Sequence, residues 1–179
     1  MKKGNPDGPF LATARGAKAA HRPLWIMRQA GRYLPEYREV RQRFSFLELC
    51  KTPAAAAEVT LQPITRYDMD AAILFTDLLV PVEAMNVGLT YEPGPVLAHT
   101  IETREHVDAL EILEPQRDLT TMLDTVRLVR EQLAEEKALI GFVGAPFTLA
   151  CYLIEGRGSK NWDRVRRMMH GEQPLTGGD

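Results

Sequence analysis

Three short apolar runs, set apart by stretches with helical spacing, constrain this chain more than any other feature. They are Leu24-Trp25-Ile26-Met27, the run from Asp70 to Asp77 (Ala71-Ala72-Ile73-Leu74-Phe75 inside it), and Ala138-Leu139-Ile140-Gly141-Phe142-Val143. None alternates polar with apolar, as a strand with one wet face does. Continuous apolar strands belong to parallel sheets covered by helices on both faces. Tyr37, Val40, Phe44 and Leu47 fall at helical spacing between the first two runs, with a break expected near Phe44-Ser45. Thr52-Pro53 reads as a helix start, with Thr as cap and Pro at the first helical position. That helix is expected to reach about Gln62 and to kink at Pro63. Leu119, Met122, Leu123, Val126, Val129 and Leu133 form the clearest helical stripe. Pro146 opens a helix expected to run through Tyr152. The order strand, helix, strand, helix, strand, helix predicts an α/β fold built of βα units.

Smaller features fit around this frame. Val87 to Val96, with its Pro-Gly-Pro, predicts a small hairpin, and Thr103 to Leu110 a short helix. Phe10, Leu11 and Ala14 predict a short helix opening near Asp7, broken by His21-Arg22-Pro23. A further helix begins near Trp162 and runs to Met169. Residues 1–8 read as a loose arm and residues 171–179 as a tail without packing pattern, so residues 1–179 form one domain or part of one.

Net charge is -2 over 179 residues, which argues against a general nucleic-acid binder. Yet Arg28, Arg32, Arg38 and Arg41 crowd one short segment. A local arginine cluster in a near-neutral chain points to a discrete anionic ligand. The two cysteines, Cys50 and Cys151, form no CxxC pair and read as buried reduced thiols, which fits a reducing compartment. No apolar run approaches the ~18 residues of a membrane span. No apolar core follows the basic start in the manner of a secretion signal, so the expected location is the cytoplasm.

In sheets of βα units, ligands meet the C-terminal ends of strands and the loops that follow. Three candidate groups lie there: Arg28-Gln29-Ala30-Gly31-Arg32, Asp77, and Gly144 to Tyr152. Arg28 and Arg32 suit carboxylate recognition, since a guanidinium donates two parallel hydrogen bonds and keeps its charge when desolvated. The alternative is a solvated turn with surface arginines. Asp77, in Leu74-Phe75-Thr76-Asp77-Leu78-Leu79-Val80, needs a partner in so apolar a setting. A ligand, one of the arginines or a helix cap would each supply it. Tyr152 reads locally as a core aromatic. Gly156-Arg157-Gly158-Ser159-Lys160 lacks the spacing of a phosphate loop. His21, His99, His106 and His170 have no metal-ligand spacing and read as surface residues.

Met27-Arg28-Gln29-Ala30-Gly31-Arg32-Tyr33-Leu34-Pro35-Glu36-Tyr37-Arg38 closely resembles the N-terminal signature of the uroporphyrinogen decarboxylase family. Ala72 to Val80 resembles that family's acid-bearing strand. Gly141 to Leu149, continued by Tyr152 to Gly156 and Ser159-Lys160, resembles its third motif. The likeness runs over about residues 8 to 168, in the family's order.

The resemblance implies a (β/α)8 barrel and the conversion of uroporphyrinogen III to coproporphyrinogen III. Four acetate side chains lose CO2 without metal or organic cofactor, in a cytosolic homodimer whose clefts face each other. It implies that Arg28, Gln29, Ala30, Gly31, Arg32 and Arg41 bind the substrate, with the arginines on its carboxylates and the Ala30 backbone along it. It implies that Asp77, acceptor-only when ionised, takes the pyrrole N–H groups and stabilises the cationic intermediate. Tyr152 donates its hydroxyl to a carboxylate. Arg28 is the candidate proton donor by position, although arginine is a poor acid at neutral pH.

The sequence departs from the family in length. A (β/α)8 barrel takes about 250 residues, and the family's later serine and histidine have no counterpart here. The expectation is the N-terminal portion of such a barrel, an incomplete set of its first βα units, with an open sheet edge and little turnover alone. The alternatives are a non-catalytic tetrapyrrole-binding piece, a related barrel methyltransferase with zinc ligands elsewhere, and a product too unstable to fold.

Overall fold

The structure, a computed structural model, describes residues 8–91 and 93–171. Along the chain run α1 (Pro9–Ala14), α2 (Pro35–Arg43), α3 (Phe46–Cys50), α4 (Pro53–Tyr67), β1 (Ala71–Ile73), α5 (Val80–Ala84), β2 (Leu89–Tyr91) and β3 (Pro95–Leu97). There follow α6 (Arg104–Asp108), α7 (Pro115–Asp118), α8 (Thr120–Gln132), β4 (Ala138–Ile140), α9 (Pro146–Glu155) and α10 (Asp163–Met169). Two compact units result, one from residues 8–77 and 120–142, the other from 78–119 and 143–171.

In the first unit β1 and β4 pair in parallel, with Ala71 opposite Ala138 and Ile73 opposite Ile140. The Leu74 N–H extends the pairing to the Ile140 carbonyl at 3.0 Å. Parallel neighbours require a long crossover, and α8 lies on it. Most of the expected stripe is the inward face of α8: Val129 and Leu133 pack with Ala57, Ala72 and Leu74, and Met122 and Val126 lie against them. A second cluster joins Leu34, Tyr37, Val40, Leu49, Ala55 and Val59. Thus α4 is clad on two sides. Each of its fully buried aliphatic side chains contributes roughly 1.5–3 kcal/mol relative to exposure.

That double cladding corrects the expected end of α4 near Gln62. The helix continues through Pro63 to Tyr67. An interior proline costs about 3 kcal/mol, and burial of the apolar Ala55, Ala56, Ala57, Val59 and Pro63 offsets it. Thr52 does precede the helix, but its hydroxyl donates back to the Glu48 carbonyl at 2.7 Å instead of capping α4. The break at Phe44-Ser45 is present. Ser45 opens α3 with a capping box, its Oγ accepting the Glu48 N–H and its own N–H donating to Glu48 Oε2 at 2.7 Å.

Three further expectations change. Leu24 to Met27 is not a buried strand: the four residues are 59, 38, 51 and 73% exposed. One ladder-like bond, Asp70 N–H to Leu24 carbonyl at 3.0 Å, joins the segment to the start of β1. Beyond it a side chain takes over from the backbone, as described below. The other two runs are strands of three residues each, and Phe142 and Val143 past β4 are exposed. Gly8, read as part of the arm, is buried; a β-carbon there would lie 1.6 Å from the Glu136 carbonyl oxygen. The remainder of the arm, 1–7, with Asp7, and the tail beyond Gly171 lie outside the described residues.

In the second unit β2 and β3 form the expected hairpin, antiparallel with Leu89 opposite Leu97. Thr103 caps α6. Helix α9 runs three residues past Tyr152 and ends at Gly156, whose φ of 78° closes the last turn. The Leu97 N–H donates to the Gly156 carbonyl at 2.7 Å, and Ile101 N–H to Leu153 at 2.9 Å. Glu155 Oε1 caps the start of α10 through the Arg164 N–H at 2.8 Å. Among the described residues no helix is long and apolar enough to cross a membrane.

Candidate functional site

The arginine segment is shaped by a tight turn. Gln29 N–H donates to the Ile26 carbonyl at 2.9 Å, and Arg28, third residue of that turn, holds φ at 63°. Its side chain is exposed and carries no hydrogen bond or ion pair to a described residue. Ala30 packs on the Leu34–Val59 cluster, and a second turn, Leu34 N–H to Gly31 carbonyl at 3.0 Å, feeds buried Leu34 into α2. Arg32 and Arg38 are exposed. Arg41, on the last turn of α2, is half-buried and donates to the Phe44 carbonyl.

The acid arrives from the other side of the same unit. After β1 the chain stays extended, and the Phe75 N–H donates to buried Thr60 Oγ1 of α4 at 2.9 Å. The Phe75 ring stands 5.8 Å from those of Tyr37 and Phe46. Two residues on lies half-buried Asp77.

Two neutral side chains feel these charges. Burial pushes the Tyr37 hydroxyl up, against Arg41 and Arg32, which pull it down. Burial pushes the Cys50 thiol up to about 12, Asp77 adds to the rise, and Arg41 opposes it. Arg41 thus acts on both Tyr37 and Cys50, Arg32 on Tyr37 and Asp77 on Cys50. Such a site offers planar cationic donors for carboxylates and one acceptor-only anion for N–H groups.

Gln29 takes a different place from the one expected. It is 1% exposed, and its carboxamide is bonded within the protein. Sequence reading also passed over Thr60, Tyr37 and Cys50 as parts of the site. Tyr37 had a signal, its place on the apolar stripe of α2; Thr60 had none, being one polar atom in an apolar helix. Tyr152 belongs to the second unit, half-buried on α9, its ring edge-on to Trp162 at 5.4 Å. Cys50 and Cys151 are buried free thiols.

Among the described residues no three His, Cys, Asp or Glu side chains are grouped as metal ligands. All four histidines are exposed, and His21 Nε2 lies 2.9 Å from Asp70 Oδ1. A groove of about 940 Å³ on the first unit is lined by residues of α4, the end of α8 and the segment after it, and Glu36 of α2, and none of the candidate residues borders it.

The family model described as uroporphyrinogen decarboxylase (URO-D) matches residues 5–176. The uroporphyrinogen decarboxylase of Geobacter sulfurreducens is 53% identical over 161 residues, covering 90% of this chain and 47% of that protein. The one from Syntrophotalea carbinolica is 51% identical over 164 residues, covering 92% and 48%. The chain thus spans about half the length of the curated relatives it matches. Among solved structures, a methyltransferase from Methanosarcina mazei aligns with a TM-score of 0.66 at 19% identity, over 90% of this chain and 46% of that one. That likeness concerns the fold, and it agrees with a part of the (β/α)8 barrel expected from the sequence. With the arginine turn and the acid-bearing strand in place on one unit, the chain belongs to the uroporphyrinogen decarboxylase family.

Proposed function

We propose that this chain supplies the carboxylate-binding and pyrrole-binding part of a uroporphyrinogen decarboxylase. The observation that carries the reading is the ring contact of Tyr37 with Phe75 at 5.8 Å, which joins the helix bearing Arg41 to the segment that ends in Asp77. Uroporphyrinogen carries eight carboxylates on a flexible ring with four inward N–H groups. The arginines take carboxylates; Asp77 takes the N–H groups. Arg28 holds the acetate at the reacting pyrrole, the Ala30–Gly31 backbone runs along the substrate, and Tyr152 donates to a further carboxylate.

The chemistry follows from that placement. Protonation of a pyrrole carbon makes the ring a cation. The C–C bond to the carboxylate breaks, its electron pair neutralises the ring, and CO2 leaves. A second proton converts the exocyclic methylene to methyl, and the ring carbon then releases the first proton, which restores the neutral pyrrole. Asp77 stabilises the cation as a fixed charge already in place, which costs no reorganisation at the moment of reaction. No step calls on a metal or organic cofactor. The working assembly is a homodimer in the cytoplasm.

The test is anaerobic turnover with chemically reduced uroporphyrin, followed by oxidation and separation of products by carboxylate number. The expected result is tight binding with little turnover by this chain alone. Seven- to four-carboxylate products should appear when the remaining half of a relative is added, and should vanish with Asp77→Ala. A folded chain that neither binds the eight-carboxylate compound nor yields product in either format overturns the reading. Binding with unchanged substrate in both formats leaves a tetrapyrrole-binding protein without the chemistry.

A further inference from the structure

Gln29 sits where the arginine turn meets β1. Its Oε1 accepts the Ile26 N–H at 3.2 Å, and its Nε2 donates to the Ala71 carbonyl at 2.9 Å. Its own N–H closes the turn on Ile26, and its carbonyl accepts the Tyr33 hydroxyl. The donor at Ile26 and the acceptor at Ala71 admit only one orientation of the amide. The Leu24–Met27 segment leaves the β1 ladder after a single backbone bond. From there on the Gln29 side chain does the work of a second strand: it satisfies one N–H on the turn and one carbonyl on β1. Arg28 precedes it, on strained backbone. Asp77 lies beyond the far end of the strand it grips.

We propose that Gln29 is a positioning residue. Its carboxamide fixes the arginine turn to the strand that leads to Asp77, and so sets the spacing between the carboxylate-binding guanidiniums and the central acid. It acts through Arg28 and Arg32 and touches no substrate. This rests on the reading of the site given above. A side chain of the same length without polar atoms (Gln29→Met) loses both bonds. Gln29→Glu keeps an acceptor for Ile26 but sets a carboxylate oxygen against the Ala71 carbonyl.

Two measurements on the full chain test it. The first is amide hydrogen exchange. In Gln29→Met, peptides covering residues 24–34 should exchange about tenfold faster or more, while those covering α8 keep the parental rate. The second is uroporphyrin binding, followed by quenching of tryptophan emission; Trp25 stands 38% exposed beside the turn. Gln29→Met and Arg28→Ala should each weaken binding about tenfold, and the double variant should lose little more than the worse single, since one acts through the other. Losses that multiply, or a turn that stays protected in both Gln29 variants, overturn the proposal. If neither variant folds, the amide serves the whole unit rather than the turn, which also overturns it. If the parent chain binds no uroporphyrin, the functional reading fails, and the exchange data still decide the place of Gln29.

Discussion

Thr60 Oγ1 accepts the Phe75 N–H at 2.9 Å while donating to the Ala56 carbonyl one turn back on α4 at 2.7 Å. One hydroxyl thus serves a helix and the chain leaving a strand, and it is wholly buried. Thr60→Val keeps the shape and removes the acceptor. The orphaned Phe75 N–H should cost about 1–3 kcal/mol, read as a lower urea midpoint with unchanged slope. Thr60→Ser should lose only about 0.8 kcal/mol, the share of one buried methyl.

The Cys50 thiol rises from its ordinary 9.0 to about 12. A group raised on folding lends stability that is whole below its unfolded value and lost as pH climbs through the folded one. Stability should therefore fall between pH 9 and about 12, and Cys50→Ala should flatten that decline. At pH 8 Cys50 should resist iodoacetamide in the native state and react in urea, as peptide mass spectrometry would resolve. Asp77→Asn removes one cause of the rise and should quicken the native reaction.

Arg32 and Arg41 differ in exposure, and their variants should differ with it. Arg32→Ala should weaken uroporphyrin binding about tenfold in low salt and less in 1 M salt, where the Debye length shrinks to about 3 Å. Arg41→Ala should lose as much with weaker salt dependence, because its guanidinium is partly withdrawn from water. Arg41→Lys should not restore binding, since a lysine cannot donate the planar pair of bonds. Titration against a four-carboxylate porphyrin would check that the effect scales with ligand charge.

Gly156 closes α9 at φ 78°, and a β-carbon there would meet Thr100 Cγ2 at 2.6 Å. Gly156→Ala should cost roughly 1–3 kcal/mol, from left-handed backbone and crowding together. Pairing it with Thr100→Ser, which removes the opposing methyl, should recover the crowding part alone. Thermal unfolding of the single and double variants would separate the two.

Elements whose burial is decided within one segment were legible in the sequence. The spacing of Met122, Val126, Val129 and Leu133 writes the inward face of α8, and the break expected near Phe44-Ser45 falls where Ser45 opens α3. Elements whose fate depends on distant neighbours were not. Leu24 to Met27 is apolar enough for a core, but residues elsewhere decide whether anything covers it. Pro63 is a local stop sign overruled by packing on two faces of α4. At the site, Asp77 and the arginines stood out because charge beside apolar sequence demands a partner. Gln29 entered only with the family segment around it. No local pattern reveals that Ala71, 42 positions away, needs its donor.

Arg28 occupies backbone that glycine adopts without strain and that an L side chain adopts at about 1–2 kcal/mol higher energy. A redesign guided by folding free energy would reach Arg28→Gly among its first choices. It would be right about the midpoint and would delete the guanidinium that the turn displays. At this position rankings by robustness and by usefulness run in opposite directions. A library selected for heat resistance and one selected for porphyrin binding should part company at residue 28 before anywhere else in the turn.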